Sequence, residues 1–272
     1  MMNACIQKGK YKAVFSDIDG TLLNTSHKIP DQTKQKIRKL REQGVPFILV
    51  SARMPKGMEK IRDELGSKSP MICYSGALVV DEKKQPIYSA FLQSDLVRRI
   101  LRTIKDGGWN ISLNVYSNDH WYVEDLMDHW IVDEMKITGI AAEQRLFRDE
   151  GLYEDVHKIL CMGNADQIKR LEKVWIGQFP NIRIYRSKDT YLEIMSMEAS
   201  KSDAIQKLEG YFKICKDEII AFGDSYNDID MLSYAGLGVA MGNADDAVKK
   251  AADIIGRTND EEGLRLVLEE AF

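Results

Sequence analysis

YKAVFSDIDGTLL, residues 11–23, decides the fold. Ala13, Val14 and Phe15 form an apolar run that reads as a short buried strand, and it stops at Asp17, Asp19, Gly20 and Thr21. Two carboxylates just past a buried strand, with a glycine behind them, lie where a parallel α/β sheet keeps its active site. Asp and Gly are also ordinary turn residues, so this stretch alone also admits a strand followed by a plain turn. The rest of the chain decides between the two.

Downstream, Ile29-Pro30-Asp31 opens a helix carried by Ile37 and Leu40 and closed by Gly44. VPFILV (45–50) is a second buried strand, ending at Ser51-Ala52-Arg53. Met58, Ile61 and Leu65 mark a short helix closed by Gly66, and a third strand over 71–74 runs into Ser75-Gly76, with 77–80 continuing as extended chain. This alternation is a βαβαβ unit, which predicts a parallel sheet with right-handed crossovers. From about Lys84 the pattern changes to helices mixed with hairpins: helical at 96–104 and 126–136, hairpin strands at 111–116 and 121–124, a strand at 158–162, a helix at 165–176, and a second hairpin of 182–186 with 191–195. Residues 137–156 carry no clear period. The alternation resumes with a helix at 201–212, a buried strand at 218–222 ending at Gly223-Asp224, a helix at 227–235, strands at 238–241 and 254–255, and helices at 244–251 and 260–271. The expected fold is α/β: a Rossmann-like parallel-sheet core from residues 1–83 and 189–272, with an α+β insert at 84–188.

Composition bounds the function. The 272 residues are 44% apolar, enough for a sizeable core. The net charge is −4 with Lys and Arg scattered, which argues against a nucleic-acid partner. Cys5, Cys73, Cys161 and Cys215 form no C-x-x-C pair and read as thiols of a reducing compartment. MMNACIQKGK has no hydrophobic signal core, and no apolar run approaches the ~18 residues of a membrane span. The expectation is a cytoplasmic protein with no membrane partner.

A second acid cluster, FGDSYNDIDML (222–232), repeats the logic of the first: a strand ends, and Asp224, Ser225, Asn227 and Asp228 come next, at the start of a helix. Carboxylates there also serve as helix caps. Two such clusters in one sheet, however, would gather three or more carboxylates around one crevice, where they repel unless a cation holds them. An oxygen-only ligand set completed by waters and a substrate phosphate points to Mg²⁺.

Four separated motifs stand in order: DIDGT at 17–21, Ser51 after the second strand, Lys201 after the insert, and GDSYND at 223–228. Leu192-Glu193-Ile194, Met241-Gly242-Asn243-Ala244 and the EEG at 261–263 accompany them. In these the chain resembles phosphatases of the haloacid dehalogenase superfamily, in the Cof-like branch with a large α/β cap (subclass IIB), over about residues 11–270. The resemblance implies that Asp17 attacks phosphorus and forms an aspartyl-phosphate, while Asp19 protonates the leaving oxygen and then activates water. It implies that Asp17, the backbone carbonyl of Asp19, and Asp224 hold Mg²⁺, with Asp228 and Ser225 behind them. Thr21, Ser51, Lys201 and Asn227 would contact the phosphate. The substrate class is a small phosphorylated metabolite, a sugar phosphate or related monoester, acted on by a monomer or homodimer. A phosphomutase of the same fold is the near alternative, and a phospho-accepting receiver domain the one from another class. Asp19 and the long insert favour an enzyme.

Three positions depart from the family pattern: Ser51-Ala52-Arg53 where Thr-Gly-Arg is usual, Ser75-Gly76 for Asn-Gly, and Ser202 for Gly. Trp109, Tyr116, His120, Trp121, Tyr122, His129 and Trp130 in the insert read as aromatic packing in its own core rather than a stacking wall. None of the four His residues has metal-site or triad spacing, and no G-x-G-x-x-G comes after the first strand, so Gly76 and Gly242 read as turn glycines.

Overall fold

Strand β1 (Ala13–Asp17) is buried at every position, as a strand covered on both faces of a parallel sheet must be. The structure, a computed structural model, describes residues 6–147 and 153–272. After β1 come α1 (Asp31–Glu42), β2 (Phe47–Val50), α2 (Pro55–Glu64), β3 (Met71–Cys73), β4 (Leu78–Val80) and β5 (Pro86–Ser89). The middle of the chain holds α3 (Ser94–Asp106), β6 (Ser112–Ser117), β7 (His120–Val123), α4 (His129–Thr138), β8 (Glu143–Gln144), β9 (Val156–Met162), α5 (Ala165–Gln178), β10 (Ile182–Lys188) and β11 (Tyr191–Ser196). The chain closes with α6 (Lys201–Phe212), β12 (Ile219–Gly223), α7 (Ile229–Tyr234), β13 (Leu237–Ala240), α8 (Asp246–Ala251), β14 (Ile254–Ile255) and α9 (Gly263–Ala271).

Among the described residues the strands form two sheets. The first has the order β14-β13-β12-β1-β2-β3-β4-β5, parallel from β14 to β3. Because β2 lies on one side of β1 and β12 on the other, the strand order reverses at β1, and a crevice opens at the carboxyl ends of such strands. Phe15, Ile48, Ile72, Ile219 and Ala221 from this sheet pack with Ile205 and Leu208 of α6, Met231 of α7 and Val248 of α8. The second sheet, β10-β11-β9-β6-β7-β8, is antiparallel except where β8 joins β7. Val115, Ile159, Cys161, Leu192 and Ile194 on one of its faces pack with Val97, Ile100 and Ile104 of α3 and Ile168, Leu171 and Trp175 of α5.

The chain divides into two compact units, each built around one sheet. One takes the chain up to Ala52, Met58–Tyr88 and Ser200–Phe272; the other takes Arg53–Gly57 and Ser89–Ala199. The divisions thus fall later than the expected 83/84 and 188/189. At the first, β4 turns back antiparallel on β3, and β5 adds to the edge of the first sheet before the chain leaves. At the second, β11 pairs with β9 from Tyr191↔Met162 to Met195↔Lys158, so it belongs to the second sheet. The unassigned stretch 137–156 contributes β8 and the start of β9; residues 148–152, like Cys5, lie outside the described residues. No helix among the described residues is long and apolar enough to cross a membrane.

All four tryptophans, Trp109, Trp121, Trp130 and Trp175, lie in the second unit, so tryptophan fluorescence reports its unfolding alone. Ile168→Ala, at a fully buried site of that unit, should cost about 2–5 kcal/mol and shift the fluorescence-detected denaturation midpoint. Leu208→Ala in the first unit should shift the circular-dichroism transition and leave the fluorescence midpoint in place. Equal movement of both signals in both variants would mean that the chain unfolds as one cooperative body.

Candidate active site

Asp17 is the last residue of β1 and pairs in register with Val50 of β2, so Ser51 emerges beside it. On the other flank Ser16 pairs with Phe222, and the same register carries Asp17 level with Gly223 and Asp224 one step beyond. Parallel alignment alone therefore brings the first, second and fourth motifs to one end of the sheet. Lys201 arrives from α6, whose Ser200 caps the helix by accepting the Asp203 N–H at 3.0 Å. A cation in the first turn is opposed by the helix dipole, so neighbouring negative charge must hold it there. It does: Nζ of Lys201, with its side chain fully buried, donates to Oδ1 of Asp17 at 2.7 Å and to Oδ1 of Asp228 at 2.5 Å.

Two glycines let these parts meet. Gly20 has φ +82°, and a Cβ there would lie 2.3 Å from Oδ2 of Asp224. Gly76 has φ +101°, and its Cβ would lie 2.0 Å from the Ser200 carbonyl oxygen, the residue before Lys201. Tyr74 and Ser75 ahead of it are also left-handed, at φ +50° and +49°. Asn tolerates that conformation better than most residues, which explains the family's preference where this chain has Ser75.

The carboxylates are unequal. Asp228 is fully buried and both its oxygens are occupied: Oδ1 by Lys201, Oδ2 by the backbone N–H groups of Asp224 (3.0 Å) and Ser225 (2.9 Å). Asp224 accepts from the Thr21 hydroxyl at 2.7 Å through Oδ1 and, more distantly, from the Ser225 hydroxyl at 3.4 Å through Oδ2. Burial pushes the Asp224 carboxyl up to about 6, against the Thr21 hydrogen bond. Burial also drives Asp17 well above the usual carboxylate range, opposed by Lys201 and reinforced by the Asp228 and Asp224 charges. Burial would lower Lys201, but Asp17 and Asp228 overcome it and hold the ammonium above its ordinary value. Asp17, Asp224 and Asp228 each offer an oxygen, all within 4.8 Å of one another. One buried ammonium faces three carboxylates, so the site carries excess negative charge and a hard, oxygen-only donor set. That set fits a divalent cation such as Mg²⁺.

The other predicted residues fall nearby with different freedom. Asp19 is exposed and bridges to Leu23 in a tight turn, where the Leu22 and Leu23 N–H groups both donate to the Ile18 carbonyl. Ser51 is buried; its N–H donates to the Ile72 carbonyl and its own carbonyl accepts from Ser75 N–H, both at 2.9 Å. The Thr21 hydroxyl, assigned to phosphate from the resemblance, donates to Asp224 here. Asn227 donates to the Ser75 hydroxyl at 3.3 Å, while its own buried Oδ1 has no protein donor. Of the insert's aromatics, Trp121 and Tyr116 are buried and stack with rings 5.9 Å apart, as expected of packing, whereas Trp109, Tyr122 and Trp130 are half-buried and His120 and His129 are exposed, against that expectation. Two residues without a role from sequence, Asn243 and Asn259, bond the backbone of the turn after β1 at Gly20 and Leu23. Only the motif containing Asn243 hinted at them.

With this geometry in view, residues 14–268 match the haloacid dehalogenase-like hydrolase family. The chain belongs to that family, in its Cof-like branch, and is a phosphatase by enzyme class. A Haemophilus influenzae protein provisionally named a phosphatase is 38% identical over 262 residues, covering 96% of this chain and 98% of its own. The Bacillus subtilis 5-amino-6-(5-phospho-D-ribitylamino)uracil phosphatase YitU is 27% identical over 264 residues, 94% of this chain and 96% of its own. Among solved structures, TM0651 from Thermotoga maritima superposes with a TM-score of 0.87 at 28% identity, over 96% of this chain and 98% of its own.

The raised Asp224 carboxyl gives a measurable pH effect. In metal-free protein the folded state holds this proton more tightly than the unfolded chain does. The ionised group therefore costs stability as pH rises from about 4 to beyond about 6. Asp224→Asn should then be more stable than the wild type at pH 7, by up to about 3 kcal/mol, and the gain should vanish toward pH 4. Added Mg²⁺ should raise the melting temperature of the wild type and leave that of the variant almost unchanged.

Proposed function

We propose that this chain is a Mg²⁺-dependent phosphatase that hydrolyses a small phosphorylated metabolite through a phosphorylated Asp17. The observation that carries this reading is the cluster of Asp17, Asp224 and Asp228 against the single ammonium of Lys201. When bound, Mg²⁺ would be held by Asp17 and Asp224 together with the Asp19 carbonyl, and would supply charge neutralisation for a phosphate dianion. Asp228 is better placed as support, because both its oxygens already accept protein donors.

Oδ1 of Asp17 is pinned by Lys201, which leaves Oδ2 to attack phosphorus. An ammonium has three donors, and Lys201 spends two on carboxylates, so the third is left for a phosphoryl oxygen. Ser51, next to the nucleophile in register, offers a hydroxyl to another. Asp19, exposed at the head of its turn, gives a proton to the leaving oxygen and later takes one from the attacking water. Thr21 orients Asp224, and Asn227 offers its side-chain amide to phosphate. Every residue given a chemical role lies in the first unit, so the choice of leaving group is assigned to residues 89–199, the insert. The named substrate of the YitU relative, a phosphorylated ribityl compound, supports a small phosphorylated metabolite as the class. The setting we propose is the cytoplasm.

Asp17→Asn should abolish turnover of p-nitrophenyl phosphate with the fold intact, because an amide cannot form the acyl-phosphate. Excess EDTA should silence the wild type, and Ca²⁺ should inhibit it through its larger, more flexible shell. Retention of a tenth of the wild-type rate by a pure Asp17→Asn sample, or full activity in chelator, would count against the reading.

A further inference from the structure

The turn after β1 carries Asp19; within it the Leu22 and Leu23 N–H groups donate to the Ile18 carbonyl, and the Thr21 hydroxyl donates to Asp224. Further ties come from the far end of the chain. Asn243 Nδ2 donates to the Gly20 carbonyl at 2.9 Å, and its Oδ1 accepts the Asn259 N–H at 3.0 Å. A backbone carbonyl can only accept and a backbone N–H can only donate, so this amide has one workable orientation. Asn259, itself buried, donates through Nδ2 to the Leu23 carbonyl at 2.9 Å. The two asparagines thus grip the turn at residues 20 and 23, on both sides of Thr21. The same C-terminal segment holds the chain beyond: Asp260 accepts the Thr25 N–H at 2.9 Å, and Glu262 accepts the Thr33 hydroxyl at 2.9 Å.

We propose that Asn243 and Asn259 are positioning residues that hold the Asp19 carboxyl at the leaving oxygen by fixing the backbone of its turn. The inference rests on the phosphatase reading and adds a role that the acid cluster does not contain. A misplaced general acid has a specific signature. A phenolate such as p-nitrophenolate leaves without help, whereas an alkoxide leaves only as it is protonated. Loosening the turn therefore lowers kcat/KM, which ends at the phosphorylation of Asp17, for alkyl phosphates and spares it for aryl ones, while a general loss of structure lowers it for both.

The test compares kcat/KM for p-nitrophenyl phosphate and for an alkyl phosphate, taken from those the wild type hydrolyses, in Asn243→Ala, Asn259→Ala and the same changes on Asp19→Ala. The expected result is a loss of about tenfold or more on the alkyl ester, carried by kcat, against less than about threefold on the aryl ester. On the Asp19→Ala background either change should cost less than about twofold, since the group it positions is gone. Amide exchange at Leu22 and Leu23 should quicken about tenfold in both variants, with β1 unaltered and the melting temperature of the rest of the unit retained. Equal losses on the two esters, no loss on either, or unchanged exchange overturns the proposal. A wild type that hydrolyses neither ester overturns the phosphatase reading and this proposal with it, whereas failure of the proposal alone leaves the wild type active on both.

Discussion

The structure of the site depends on one buried ammonium. Lys201 stands at the first position of α6, against the helix dipole and out of water, and is held there by Asp17 from β1 and Asp228 from the turn after β12. Three segments far apart in sequence are tied at one point. Removing one partner of such a buried pair strands the other charges and typically costs about 3–5 kcal/mol, so the tie is as much architectural as chemical. Gly76 matters for the same reason, since only a residue without Cβ lets the start of α6 come close enough to deliver the lysine.

The tie is unbalanced. One positive charge offsets two carboxylates only in part, and Asp224 adds a third with nothing but hydroxyls for partners. Burial raises Asp17 and Asp224, so without a cation the site favours protons it would have to give up for catalysis. Held by these oxygens, a divalent cation would favour the ionised form of both groups, with the fully satisfied Asp228 as a brace. Phosphoryl transfer asks chiefly for placement and charge compensation, and the sheet supplies placement by register alone.

Much of this is readable from sequence because parallel strands buried on both faces are continuous apolar runs that stop abruptly. AVFSD, FILV and IIAFG announce themselves, and the residues just past each stop must lie at the same end of the sheet. Sheet membership is less readable. YLEIMS has the same strand character whether it joins the first sheet or the second, and its pairing with β9 is a contact across about thirty residues that leaves no local mark. The short edge strand β5 leaves no signal either, because PIYS, half exposed, looks like loop. At the site, the bond of the Thr21 hydroxyl to Asp224 leaves no mark in the sequence, because the two lie 203 residues apart. Asn243 shows only as a member of a short motif and Asn259 not at all, because side chains bonded to backbone 223 and 236 residues away obey no periodicity.

The most direct measurement traps the covalent intermediate. Protein turning over a phosphorylated substrate with Mg²⁺ is quenched in acid and treated with borohydride, which reduces an acyl-phosphate on aspartate to the alcohol of homoserine. Mass spectrometry of the peptides spanning residues 13–28 and 217–249 then reads the site. A homoserine at position 17, and at no other carboxylate, is the result expected of an Asp17 nucleophile. Modification at Asp19, Asp224 or Asp228, or sustained turnover with no modified carboxylate, would show that the phosphoryl group never passes through Asp17.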